Sequence, residues 1–159
     1  MKFMSGNIIK LKQAVIICFL LTGIIHSKAN PSVFYILDYG AKFFIHACGQ
    51  QKDNLGLISS YNVDGLEGVA SPPPGDIMLN DAMISTRDGF IITGGISVVE
   101  TIDLKTREEI FNYVENLFRK MLPYKNRFIF SSRCKTAIDT SWETIKHFRD
   151  AWMCYRDIR

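Results

Sequence analysis

The sequence predicts an α/β domain built from consecutive strand–helix units, and three observations carry that prediction. Short apolar runs alternate with stretches of helical period from Ala41 to the end of the chain. Two Thr-x-x-Glu signatures, at Thr106 and Thr140, open long amphipathic segments. The chain has 159 residues, 47% of them hydrophobic and 22% charged, which suits one packed domain and excludes a disordered or collagen-like chain.

Residues 1–40 read differently from the rest. Lys2, Lys10 and Lys12 precede an apolar stretch from Ala14 to Ile25, and Ser27-Lys28-Ala29 follows as a small-x-small tripeptide. That is the outline of an export signal, with a core helix and non-native leader sequence as the other readings. The stretch falls short of the ~20 apolar residues a spanning helix requires, so a transmembrane anchor is disfavoured. An unbroken apolar run of this kind is expected to be helical. The expected compartment is the cytoplasm, with export or membrane association as the alternative if residues 1–29 are a signal.

Residues 41–159 form the domain proper. Ala41 to His46 is the first strand, and the polar segment from Gln50 to Ser60, with Leu55 and Ile58 inward, is a short helix. Val63 to Val69 is the second strand. Ser71-Pro72-Pro73-Pro74-Gly75 fits neither strand nor helix, and a short helix follows near Leu79 to Ile84. The third strand, Phe90 to Thr93, ends in Gly94-Gly95. Thr106 with Glu109 makes a capping box for a helix whose inner face is Ile110, Val114, Leu117, Phe118 and Met121, and Pro123 stops it. Arg127 to Ser132 is the fourth strand. Thr140 with Glu143 is expected to cap a final helix that buries Ile145, Phe148, Trp152 and Tyr155.

Alternation of this kind implies parallel pairing. Four right-handed units make either a small doubly wound sheet or half of an eight-stranded (β/α)8 barrel. No glycine-rich phosphate fingerprint follows the first strand, because Gly49 stands alone before Gln50-Gln51-Lys52, and a nucleotide fold is thereby disfavoured. Nineteen Lys and Arg against sixteen Asp and Glu give a charge of +3, scattered along the chain, so no nucleic-acid footprint is present.

The distinctive polar residues stand at the carboxyl ends of strands, where barrel enzymes keep their chemistry: His46 and Cys48, then Glu67, then Arg133 and Cys134. Four cysteines, at positions 18, 48, 134 and 154, are too few and too widely spaced for a disulfide scaffold, and in a reducing compartment they suit metal binding or catalysis. His46 and Cys48 are two apart at the end of an extended segment, so both project to one side. Cys134 ends another strand and is the candidate third ligand. Two cysteines and a histidine suit zinc and leave a fourth position open for substrate, with the sulfurs about 3.5 to 4 Å apart. The plainer reading makes both cysteines small buried hydrophobes and His46 a satisfied strand-end histidine. Glu67 would orient a ligand or act as a base, or is simply a solvated loop carboxylate. No Ser/His/Asp arrangement is visible.

Several ordered motifs together resemble one family. They are Phe43-Phe44-Ile45-His46-Ala47-Cys48-Gly49, the Val63-Asp64-Gly65-Leu66-Glu67 strand, Pro73-Pro74-Gly75-Asp76, the Gly94-Gly95-Ile96 strand end, and Ser131-Ser132-Arg133-Cys134 followed by Asp139-Thr140-Ser141-Trp142-Glu143. From about Lys42 to Tyr155 the chain resembles the carboxyl-terminal half of the uroporphyrinogen decarboxylase superfamily. The resemblance implies half of a (β/α)8 barrel.

That superfamily has two main branches, the porphyrinogen decarboxylases of tetrapyrrole synthesis and zinc-dependent methyltransferases that move a methyl group between a corrinoid and a thiol such as coenzyme M. The second branch carries a His-x-Cys motif and a distant Cys as zinc ligands, matching His46, Cys48 and Cys134. In the decarboxylases, which need no cofactor, Gly-His-Gly stands where Arg133-Cys134-Lys135 stands here, with the following acids aligned on Asp139 and Glu143. Cys134 therefore favours the methyltransferase-like branch, in which a zinc-activated thiolate attacks the methyl carbon of methylcobalamin. Glu67 would then hydrogen-bond His46 or complete the zinc shell in the absence of substrate.

The resemblance implies a small-molecule thiol or a tetrapyrrole as substrate, and a corrinoid protein as a possible methyl source. The family's first barrel half has no counterpart in residues 1–40. The expectation is accordingly a half barrel that pairs with a complementary half or dimerises, or else a non-catalytic fragment left by a truncated or split gene.

Overall fold

The computed structural model describes residues 15–16, 41–104, 106–133 and 136–158. The described chain forms one parallel sheet: β1 (Val15–Ile16), β2 (Phe43–His46), β3 (Gly65–Val69), β4 (Ile91–Ile96) and β5 (Phe128–Ser132) lie side by side in sequence order. Between and after them run α1 (Leu55–Ser60), α2 (Leu79–Ile84), α3 (Val98–Asp103), α4 (Arg107–Met121) and α5 (Trp142–Tyr155). The α/β class, the parallel pairing and the strand–helix alternation match the sequence expectation. Strand order never reverses among the described strands, whereas a doubly wound sheet contains a switch point.

The expectation for the apolar stretch near the amino terminus is corrected. Val15 and Ile16, expected to be helical, form β1 and pair with Phe43 and Phe44. A short apolar run serves a buried parallel strand as well as a helix, and β-branched residues favour the strand. The remaining residues of the expected Ala14 to Ile25 helix lie outside the described residues. No helix among the described residues is long and apolar enough to cross a membrane.

Register separates the two faces of the sheet. The row Ile45–Leu66–Ile92–Phe128 packs with Phe43, Leu55, Met83 and Phe90 into the larger apolar cluster. The next row, His46–Glu67–Thr93–Ile129, faces the opposite way because strand side chains alternate. A second cluster joins α4 to α5 through Ile110, Val114, Phe148 and Ala151.

Helix α4 begins as expected: the Thr106 hydroxyl accepts the Glu109 N–H at 3.2 Å, and the Glu109 carboxylate accepts the Thr106 N–H at 2.8 Å. The same Ser-x-x-Glu signal at Ser97 and Glu100 builds α3, which the sequence reading passed over. Helix α5 is capped one residue later than expected. Ser141 Oγ accepts the Thr144 N–H at 3.0 Å, because Thr140 is still in a turn that donates its own N–H to Ala137 O. Phe148 and Ala151 are buried on α5, while Ile145, Trp152 and Tyr155 are only half-buried beside the last strand. Strand β4 runs on through Gly94-Gly95 instead of ending there. At Gly95, with φ of +116°, a Cβ would press on Leu117 at 2.9 Å, so the glycine lets α4 close onto the strand.

Candidate functional site at the carboxyl ends of the strands

His46 is the last residue of β2, and its register partner on β3 is Glu67. The pairing brings Glu67 Oε2 to 3.2 Å from His46 Nδ1. The other ring nitrogen, Nε2, stands 3.0 Å from Cys48 Sγ. With Glu67 ionised, Nδ1–H donates to the carboxylate and the Nε2 lone pair faces the sulfur. The expectation that His46 and Cys48 share one side is met, and of the roles open to Glu67 the structure shows the hydrogen bond to His46. Thr93 is next in the row; it is buried, and its Oγ1 has no hydrogen-bond partner among the described residues.

The loop that carries Cys48 is held from several directions. Ala47 N–H donates to Glu67 O at 3.1 Å. Gly68, at the irregularity between Glu67 and Val69, has φ of +99°, and a Cβ there would lie 2.6 Å from Ala47 O. Only glycine takes that conformation without strain at such close approach. The Gln51 amide donates to Ala47 O, and the N–H groups of Gln51 and Lys52 donate to Asp76 Oδ1 at 2.8 and 3.1 Å. Asp76, which follows the proline loop, thereby fixes the start of the segment leading into α1.

The donor set fits zinc in two respects. A zinc-binding histidine almost always gives its second N–H to a carboxylate, a backbone carbonyl or water, and Glu67 Oε2 stands in that place 3.2 Å from His46 Nδ1. Nitrogen and sulfur ligands of one tetrahedral ion stand about 3.5 Å apart. The 3.0 Å separation seen here needs only a side-chain adjustment to reach it. Cys134 lies outside the described residues, and so does its separation from Cys48; among the described residues no group of three or more His, Cys, Asp or Glu is placed to hold a metal ion.

Two further residues belong to this end of the sheet, Arg133, which the sequence already marks at a strand end, and Tyr113, which it does not. Arg133 is buried, with Nε 3.0 Å from Gly68 O. Tyr113 on α4 donates to Gly95 O, and burial first, then the nearby Glu100 carboxylate, raises its hydroxyl pKa well above the ordinary value. A groove of about 310 Å³ beside β5, lined by Phe118, Ile129, Trp152 and Arg156 among others, includes none of the site residues. The chain matches no protein-family model and no curated protein.

Proposed function

We propose that the chain is half of a (β/α)8 barrel of the uroporphyrinogen decarboxylase superfamily, on its methyltransferase-like branch. In this reading it activates a small-molecule thiol to accept a methyl group from a corrinoid. The observation that carries the proposal is the Glu67–His46–Cys48 relay, 3.2 Å and 3.0 Å, at the carboxyl ends of β2 and β3. Strand order that advances in one direction without a switch supports a barrel over a doubly wound sheet.

His46, Cys48 and Cys134 would hold zinc, which supplies a Lewis acid that makes a thiol a thiolate at neutral pH. Glu67 keeps the His46 ring turned toward Cys48 and its outer N–H satisfied. Thr93 offers an unpartnered hydroxyl on the same face, suited to a polar atom of the substrate. Phe44 and Ile91, two residues earlier on their strands, make the same face apolar below this row. A methylated corrinoid would supply the methyl group to the thiol sulfur and retain the bonding electron pair, with the thiol proton given up to solvent. Two ligating thiols require a reducing compartment, which favours the cytoplasm.

The same reading gives the open sheet face a complementary half. Ile129 is 41% exposed on the His46 face of β5, the last strand of the described sheet. A second copy, or a separate complementary half, related by an axis along the strands would add its strands at the β5 edge. Light scattering should show a dimer; a monomer that is active would remove the closure.

The functional test is methyl transfer from methylcobalamin to coenzyme M and other thiols, followed by the cobalamin spectrum, with zinc-loaded and zinc-free protein. Zinc-dependent turnover that disappears in Cys48→Ser is expected. Zinc-independent decarboxylation of a porphyrinogen would move the chain to the other branch, and absence of both activities in the dimer would leave a non-catalytic fragment.

A further inference from the structure

We infer that Arg133 is a positioning residue of this site, a clasp that holds the Ala47-Cys48-Gly49 loop in the geometry that brings Cys48 to His46. The inference rests on the proposed zinc reading for its consequence, while the clasp itself is a matter of geometry. Arg133 follows β5, and its N–H donates to Ile96 O at 2.8 Å. Its side chain reaches back to β3 and to the loop after β2. Nε donates to Gly68 O at 3.0 Å, and Nη2 makes a longer contact of 3.5 Å with Gly49 O. One guanidinium thus touches the segments on either side of the site: Gly68 follows Glu67, and Gly49 follows Cys48.

Three features argue that this placement is functional. Arg133 is only 9% exposed, and no ion pair compensates its charge among the described residues. A buried cation without a carboxylate is costly, so its retention calls for a specific use. The carbonyl it binds belongs to Gly68, whose missing side chain lets Ala47 O approach, so the clasp and the close approach act on the same few backbone atoms. Finally, Arg133 is the chain neighbour of Cys134, the third candidate ligand, so it links the strand end that supplies one thiol to the loop that supplies the other. The fork of a guanidinium reaches two carbonyls at once, which a lysine ammonium on its single stem does poorly.

The experiment compares wild type, Arg133→Met, Arg133→Lys and, as a control arginine at the opposite end of the sheet, Arg127→Met. Two readouts are taken on the full chain: hydrogen exchange of the Ala47 amide in the metal-free protein, and Co²⁺ affinity. Arg133→Met should speed Ala47 exchange about tenfold or more and weaken Co²⁺ by about 10–100-fold, the loss typical of an outer-shell partner. Arg133→Lys should recover the fold but only part of the affinity. Arg127→Met should leave Co²⁺ binding unchanged.

Wild-type exchange at Ala47 in both Arg133 variants would overturn the clasp, whether or not the protein binds metal. Faster exchange in a protein that binds no Co²⁺ even as wild type would keep the clasp and remove the zinc reading instead. If Arg133→Met does not fold, Arg133→Lys decides: full Co²⁺ affinity in that variant overturns the inference.

Discussion

The two ends of the sheet use the same chemical device for different purposes. At the amino ends of the strands, Arg87 donates to Val63 O at 2.7 Å, and Arg127 donates to Met83 O and Arg87 O, each at 2.7 Å. Asp64 accepts the Phe43 N–H at 2.8 Å and pairs with Lys42. These ties tether turns around Phe90 and Val63, both buried apolar residues. At the carboxyl ends an arginine again binds backbone carbonyls, but the segments it tethers carry His46, Cys48 and Glu67, and a buried Thr93 hydroxyl there has no partner among the described residues. An end whose polar groups are satisfied by the backbone is built for stability. An end whose polar groups face one another, with one hydroxyl unpaired among the described residues, keeps hydrogen-bonding capacity that the fold itself does not use.

Adjacent residues on β3 sharpen the comparison most. Leu66 is fully buried in the larger cluster, and Leu66→Ala should lower unfolding free energy in urea by about 2–5 kcal/mol. Glu67→Gln, one residue on, should barely move the urea midpoint yet weaken zinc by about 10–100-fold, because the histidine loses its charged partner.

Two glycines with positive φ extend the test to the backbone. Gly68→Ala forces a Cβ toward Ala47 O at a φ of +99°, and should cost about 1–3 kcal/mol and abolish metal binding. Gly89 has φ of +78° but open space around it, so Gly89→Ala should cost about 1 kcal/mol and leave the site intact. Calorimetry and metal titration on the two variants separate these outcomes. Thr106→Ala, which removes one half of the α4 capping box, should cost about 1 kcal/mol with no effect on metal.

The smallest effect appears only in alkali. Tyr113 is held neutral by burial and by Glu100, so its pKa is raised in the folded state. Its contribution is fully present below the unfolded pKa of about 10 and is lost as pH rises through the higher folded value. Urea midpoints should therefore fall above pH 10, and Tyr113→Phe should flatten that fall.

What was legible in the sequence had a local cause. The period of Ile110, Val114 and Met121, the Thr106–Glu109 box and the alternation through Leu66 and Ile92 each mark one element, and each element is where the pattern puts it. His46 and Cys48 were legible because strand geometry alone sends i and i+2 to one side. The pairing of His46 with Glu67 depends on register between strands, and the Arg133 clasp on a residue far along the chain, so neither leaves a local trace. The α5 cap slipped by one because adjacent Thr140 and Ser141 both suit the role, and only the preceding turn decides between them. Val15 and Ile16 misled because an apolar run has no period to distinguish strand from helix.

In the proposed reading, His46, Cys48 and Cys134 hold zinc at the carboxyl end of the sheet. A titration of reduced, metal-free protein with Co²⁺, followed by exchange into zinc, tests it most directly. One ion per chain, sulfur-to-cobalt charge-transfer absorption, and loss of binding in both Cys48→Ser and Cys134→Ser with unfolding midpoints unchanged are the expected results. Binding that survives in both variants, or no stoichiometric binding with all thiols reduced, would contradict it.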